Sequence, residues 1–167
     1  MQYRKNMVFD VDGTLVEADD KVRIEKYKVL FKDAMKLVKS QDYDGCAWLF
    51  AKLKTMYDDG VTIKPKYYKL INKNTGKILA KLSERYELYA TSWASKEITL
   101  EKLKATGIDK YFIDVIRFKD SKKVIVVDDR PKSFKNAYFV KFEYGQYKGS
   151  ECKADKYINT LEDLLDE

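Results

Sequence analysis

The stretch VFDVDGTLV, Val8 to Val16, places two aspartates, Asp10 and Asp12, at the end of an apolar run, with Gly13 and Thr14 directly after them. NMVFDV (residues 6–11) reads as a continuous apolar strand of the kind that is buried on both faces. Two carboxylates at the mouth of such a strand are costly to bury, so their presence asks for a partner of opposite charge.

Working outward, ELYAT (87–91), FIDVIRF (112–118), KVIVVDD (123–129) and YFVKF (138–142) read as further strands, with Tyr157-Ile158 as a last edge strand. Between them lie helical patterns. Pro65 suits the first turn of a helix through about Ile71, and a helix resumes after Asn72–Gly76 through Arg85. Ser95 is placed to cap a helix that runs to Ala105, with Gly107 beyond its end. Arg130-Pro131 is expected to turn the chain into a short helix. Thr160 is expected to begin a terminal helix with Leu161, Leu164 and Leu165 on its apolar face. Apart from residues 20–64, strands and helices alternate. That order predicts an α/β fold, a three-layer, doubly wound parallel sheet covered on both faces. Ligands of such sheets bind at the carboxyl ends of the strands, where the strand order switches. Asp10 and Asp12, Thr91 and Ser92, and Asp128 and Asp129 all fall at such ends.

Composition narrows the chemistry. The 167 residues include no histidine, which removes histidine-based triads and histidine metal sites. Any general acid or base must be Asp, Glu, Lys, Tyr or Cys. Cys46 and Cys152 form no spaced cluster and read as reduced thiols. No apolar run approaches the roughly 20 residues that cross a bilayer, and the N-terminus lacks a signal-like apolar core. These features lead us to expect a soluble, cytoplasmic protein. The net charge is +6, and residues 21–39 carry seven basic side chains against two acidic ones. No aromatic-interleaved basic motif of a nucleic-acid-binding module accompanies them.

Four acids converging on one sheet end would repel one another unless a cation lay among them. All-oxygen ligation suits a hard cation, and Mg2+ is the usual one where carboxylates share it with a phosphate. A carboxylate can also serve as a nucleophile towards phosphorus. Thr91 and Ser92 offer hydroxyl and N–H donors to phosphate oxygens. Lys119 could neutralise charge on the transferring group, with Lys122 and Lys123 as rivals for that role.

Taken together, FDVDGTLV, LYATS, Lys119 and VIVVDD resemble, in order, the four motifs of the haloacid dehalogenase superfamily of phosphohydrolases. The resemblance covers the chain apart from residues 20–64, and its tail YGQYKGSECKADKYINTLEDL is similar to the family's usual ending. It implies that Asp10 attacks phosphorus and becomes an aspartyl-phosphate, and that Asp12 protonates the leaving oxygen and then activates water. It implies Mg2+ held by the Asp10 side chain, the Asp12 backbone carbonyl and the acid pair, with Asp129 as direct ligand and Asp128 behind it or linked through water. Thr91 would hold the phosphate. Asp12 itself points to phosphatase or phosphomutase chemistry, because dehalogenating members lack an acid there. Lys119 precedes Asp128 by nine residues, a shorter spacing than in much of the family and similar to that of some nucleotidases.

The expected domain organisation is a core formed by residues 1–19 and 65–167, with a small helical C1-type cap at 20–64. The basic helix of the cap either draws in anionic substrates or is simply a solvated face. Trp93 either stacks on a ring of the substrate or packs against the next helix. The expected activity is Mg2+-dependent hydrolysis of a small phosphorylated metabolite, such as a nucleotide or sugar phosphate. The alternatives are a phosphomutase and a non-catalytic phosphate-binding or regulatory module.

Overall fold

The computed structural model describes residues 5–18, 36, 68–92, 94–118 and 121–166. Its centre is β1, Lys5–Asp10, whose last four residues are all buried. β4 (Tyr86–Thr91) and β6 (Val124–Asp128) pair with it on either side, both parallel, with Asp10 opposite Thr91 and Phe9 opposite Val127. β5 (Asp114–Val115), β7 (Tyr138–Phe142) and β8 (Lys156–Ile158) extend the sheet, giving the order β5-β4-β1-β6-β7-β8. Every pairing in this sheet is parallel. The chain moves from β1 towards β5 and then crosses to the other side of β1, so the strand order reverses there.

The pleat sorts side chains by parity. Met7, Phe9, Leu88, Ala90, Ile125, Val127, Val140 and Phe142 belong to one large cluster. Helix α1 (Thr75–Ser83) closes over it with Ile78, Leu79 and Leu82, and helix α2 (Lys96–Ala105) with Leu103. Leu161 and Leu164 complete the cluster from a terminal 3-10 helix, Leu161–Asp166. The opposite face carries Val126 and Phe139 under Phe118 and Phe134. Phe134 stands edge-on to both Phe118 and Phe139, at 5.3 and 5.0 Å between ring centroids. Among the described residues this second layer is built from loops and short turns, because the crossovers after β5 and β6 are too short for more.

Several expectations change in detail. The helix expected from Pro65 to Ile71 is not formed where the chain is described. Instead β3 (Tyr68–Leu70) pairs antiparallel with β2 (Val16–Ala18), Val16 opposite Leu70. The intermediate burial of Tyr68 and Leu70 and the packing of both against the core account for the extended conformation. No helix follows Arg130-Pro131, where residues 131–134 have no regular structure. FIDVIRF contributes only two strand residues, and the terminal helix is a 3-10 helix. The Ser95 cap forms as expected, its side chain accepting from the Ile98 N–H. Apart from Lys36, the cap expected at 20–64 lies outside the described residues, as does Cys46.

Candidate active site

The strand ends bring the acids together. Asp10, Asp128 and Asp129 are all buried, and each offers a carboxylate oxygen within 4.8 Å of the others. Phe9 and Val127 are paired neighbours, so the residues that follow them must emerge side by side. The turn after β1 is wound tightly enough to fold back under the acids. Leu15 and Val16 N–H both donate to the Val11 carbonyl, at 3.0 and 3.1 Å. Gly13 sits at φ +88°, and a Cβ there would lie 2.5 Å from Asp129 Oδ2. Glycine is therefore required both by the backbone and by the close approach of the acid. The fully buried Thr14 ties the two sides together: its hydroxyl accepts from the Asp129 N–H (3.1 Å) and donates to Asp10 Oδ2 (3.4 Å).

The electrostatics of this cluster are unfavourable in the absence of a cation. Burial pushes the Asp10 carboxyl well above its ordinary range, and the Asp128, Asp129 and Asp12 carboxylates push it further, with Lys132 opposing. Burial and then Asp128 raise Asp129 to about 6. The two oxygens of Asp128 are both engaged, Oδ1 by the Arg130 N–H at 2.9 Å and Oδ2 by the Lys132 ammonium. Asp129 Oδ1, by contrast, is buried with no hydrogen-bond partner. A buried oxygen without a donor, beside two more carboxylates, is a donor set that fits a hard divalent cation.

Asp12 faces elsewhere. Its carboxylate is bound by the Lys102 ammonium (2.7 Å) through Oδ1 and by the Ser92 hydroxyl (3.3 Å) through Oδ2. Ser92 also accepts from the Ala94 N–H at 3.1 Å, which fixes its own rotamer. Thr91 ends β4 beside Asp10, and its hydroxyl accepts from the Phe118 N–H at 3.4 Å, which leaves its own hydrogen to donate. Burial lowers the Lys102 pKa, and the pairing with Asp12 opposes that.

The residues singled out from the sequence thus divide. Asp10, Asp128 and Asp129 form the cluster; Asp12, Thr91 and Ser92 stand at the same sheet end. Trp93 and Lys119 lie outside the described residues. Lys122 and Lys123 precede β6 at its amino end, five strand residues from Asp128, or about 17 Å. Three contributors are visible only in three dimensions. In the sequence Thr14 stands only as part of the FDVDGTLV motif. Lys132 stands four residues after Asp128, a spacing that could have suggested the pair. Lys102 lies three residues after Thr99 on the inward side of α2, one lysine among several in KEITLEKLKA.

Comparison with known proteins separates sequence from fold. No family model and no curated protein sequence matches the chain. Solved structures do. A haloacid dehalogenase-like family hydrolase from Streptococcus pneumoniae superposes with TM-score 0.71 at 14% identity, covering 99% of each chain. The chain has the haloacid dehalogenase fold. A protein described as a predicted phosphatase from Clostridium acetobutylicum matches over 98% of each chain, with TM-score 0.69 and 14% identity. The L-2-haloacid dehalogenase from Xanthobacter autotrophicus matches over 98% of each chain, with TM-score 0.65 and 12% identity. One fold thus carries more than one chemistry, and the site must decide between them.

Proposed function

We propose that this protein is a Mg2+-dependent phosphomonoesterase of the haloacid dehalogenase superfamily, acting on a small phosphorylated metabolite. The observation that carries the proposal is the cluster of Asp10, Asp128 and Asp129 at the carboxyl edge of the sheet, with one buried Asp129 oxygen left without a partner. Asp12, beside the cluster but turned to Lys102, favours phosphoryl transfer over dehalogenation, since it supplies an acid that leaving-group protonation needs.

Asp10, Asp129 and the Asp12 backbone carbonyl would hold the cation, with Asp128 engaged through water because its own oxygens are already bound. When bound, the ion neutralises the clustered carboxylates and the charge that develops on the transferring group. An Asp10 oxygen attacks phosphorus, the bond to the leaving oxygen breaks, and Asp12 delivers a proton to that oxygen. Asp12 then takes a proton from the water that attacks the aspartyl-phosphate, which releases phosphate and restores Asp10. The Thr91 hydroxyl holds a phosphate oxygen during both steps, while the Ser92 hydroxyl stays on Asp12. Two carboxylates in different surroundings thereby divide nucleophile and acid–base work.

The test is phosphate release from p-nitrophenyl phosphate and from a panel of sugar and nucleotide monophosphates. The proposal expects turnover with Mg2+ that is lost with chelator and in Asp10→Asn. Turnover that persists in Asp10→Asn, or halide release from a 2-haloacid in place of phosphate release, would overturn it.

A further inference from the structure

We propose that Lys102 is a positioning residue for Asp12, a helix-borne cation that fixes the orientation in which the acid meets the leaving oxygen. This inference rests on the phosphomonoesterase reading of the same site. Lys102 projects from α2 and its side chain is fully buried, while the Asp12 side chain is 39% exposed. The aspartate therefore stands between the lysine and the substrate, and the lysine acts through it.

Two donors on two different oxygens define the plane of a carboxylate, as one donor cannot. Lys102 Nζ holds Oδ1 at 2.7 Å, and Ser92 Oγ holds Oδ2 at 3.3 Å. The lysine is in turn packed under the Tyr68 ring, 4.2 Å from the ring centroid to Nζ. Tyr68 opens β3, which pairs with β2 just after the acid-bearing turn. The constraint thus reaches Asp12 from a helix, a strand and the end of β4 at once.

Stability does not account for the pair. Burying an ammonium is expensive, and buried ion pairs replaced by apolar groups of similar volume are often neutral or gain stability. What an apolar replacement would lose is orientation, and an acid that transfers a proton needs its oxygen within hydrogen-bond reach of the leaving atom. Lys102→Met keeps the length of the side chain and removes the cation.

The experiment compares kcat/KM for an alkyl phosphate monoester, whose leaving oxygen must be protonated, with that for p-nitrophenyl phosphate, whose leaving group departs as the anion. For Lys102→Met the loss on the alkyl ester should exceed the loss on p-nitrophenyl phosphate by about tenfold or more, within the span that general acids contribute. On the alkyl ester relative to p-nitrophenyl phosphate, adding Lys102→Met to Asp12→Asn should cause no further loss, because the lysine reaches the leaving oxygen through the acid. Equal losses on both esters, or a further relative loss on the alkyl ester in the double variant, would assign Lys102 a general structural role and overturn the proposal. A crystal structure of Lys102→Met provides a readout independent of turnover: the Asp12 carboxylate should leave the position between Ser92 and residue 102 or occupy several conformers. A carboxylate that stays in place refutes the inference. Absence of phosphate release in the unaltered protein would instead refute the phosphomonoesterase reading, and the crystal structure would still decide the role of Lys102.

Discussion

Replacing Asp129 by asparagine should stabilise the metal-free protein, and the size of the effect follows from the site. The Asp129 carboxyl is raised from its ordinary 3.8 to about 6, first by burial and then by Asp128. In the unfolded chain it titrates near 3.8, so between these values the native state binds more protons than the unfolded state. The stability this group provides is present below about 3.8 and is lost as pH rises through about 6. At about 1.4 kcal/mol per pH unit, an ionised Asp129 then costs about 3 kcal/mol at pH 7.5. Asp129→Asn removes that charge while keeping the shape, and its amide can donate to the Asp10 carboxylate. For a chain of this size the gain corresponds to a Tm increase of about 6–12 °C. The assay is thermal unfolding in chelator at pH 7.5 and again near pH 4.5, where the advantage should shrink. Saturating Mg2+ should reverse the order, because it stabilises the unaltered site and has lost a ligand in the variant. If Asp129→Asn in chelator is no more stable than the parent at pH 7.5, or shows the same difference at both pH values, the electrostatic account of the cluster is wrong.

Other expectations follow from the same geometry. Thr14→Val keeps the volume but leaves the buried Asp129 N–H without its acceptor, so unfolding should show a loss of about 1–3 kcal/mol together with weaker Mg2+ binding. Gly13→Ala drives a methyl against Asp129 Oδ2, and calorimetric titration should show Mg2+ affinity reduced by about 10–100-fold in a protein that remains folded by circular dichroism. Lys132→Met removes the cation beside Asp128 and should tighten Mg2+ binding at low ionic strength, with the difference shrinking as salt is added. Ser95→Ala removes the cap of α2, and thermal unfolding should register a loss of about 1 kcal/mol.

The sheet end was legible in the sequence because its signals are local. NMVFDV, ELYAT and KVIVVDD are apolar runs that end in polar residues, and a parallel arrangement puts all three ends on one edge. The Ser95 cap is local too, set by a hydroxyl three residues before the N–H it accepts from. The β2–β3 pair was not legible: it joins segments about fifty residues apart, and Pro65 suggested a helix start in that region. Lys102 was missed for a related reason. Its partner is ninety residues away in sequence, and nothing in KEITLEKLKA distinguishes a buried lysine from the solvated ones beside it. The sheet order and the layered α/β arrangement follow from the strand signals, while among the described residues loops cover the second face, because ten or fewer residues join β5 to β6 and β6 to β7.

Phosphoryl transfer at this site requires Asp10 to carry the phosphoryl group during turnover. Rapid acid quench during turnover of a phosphate monoester with Mg2+, followed by peptide mass spectrometry, measures this directly. The expected result is a phosphoryl adduct on Asp10 that disappears in Asp10→Asn. Turnover with no adduct on Asp10, or with the adduct on another residue, would contradict it.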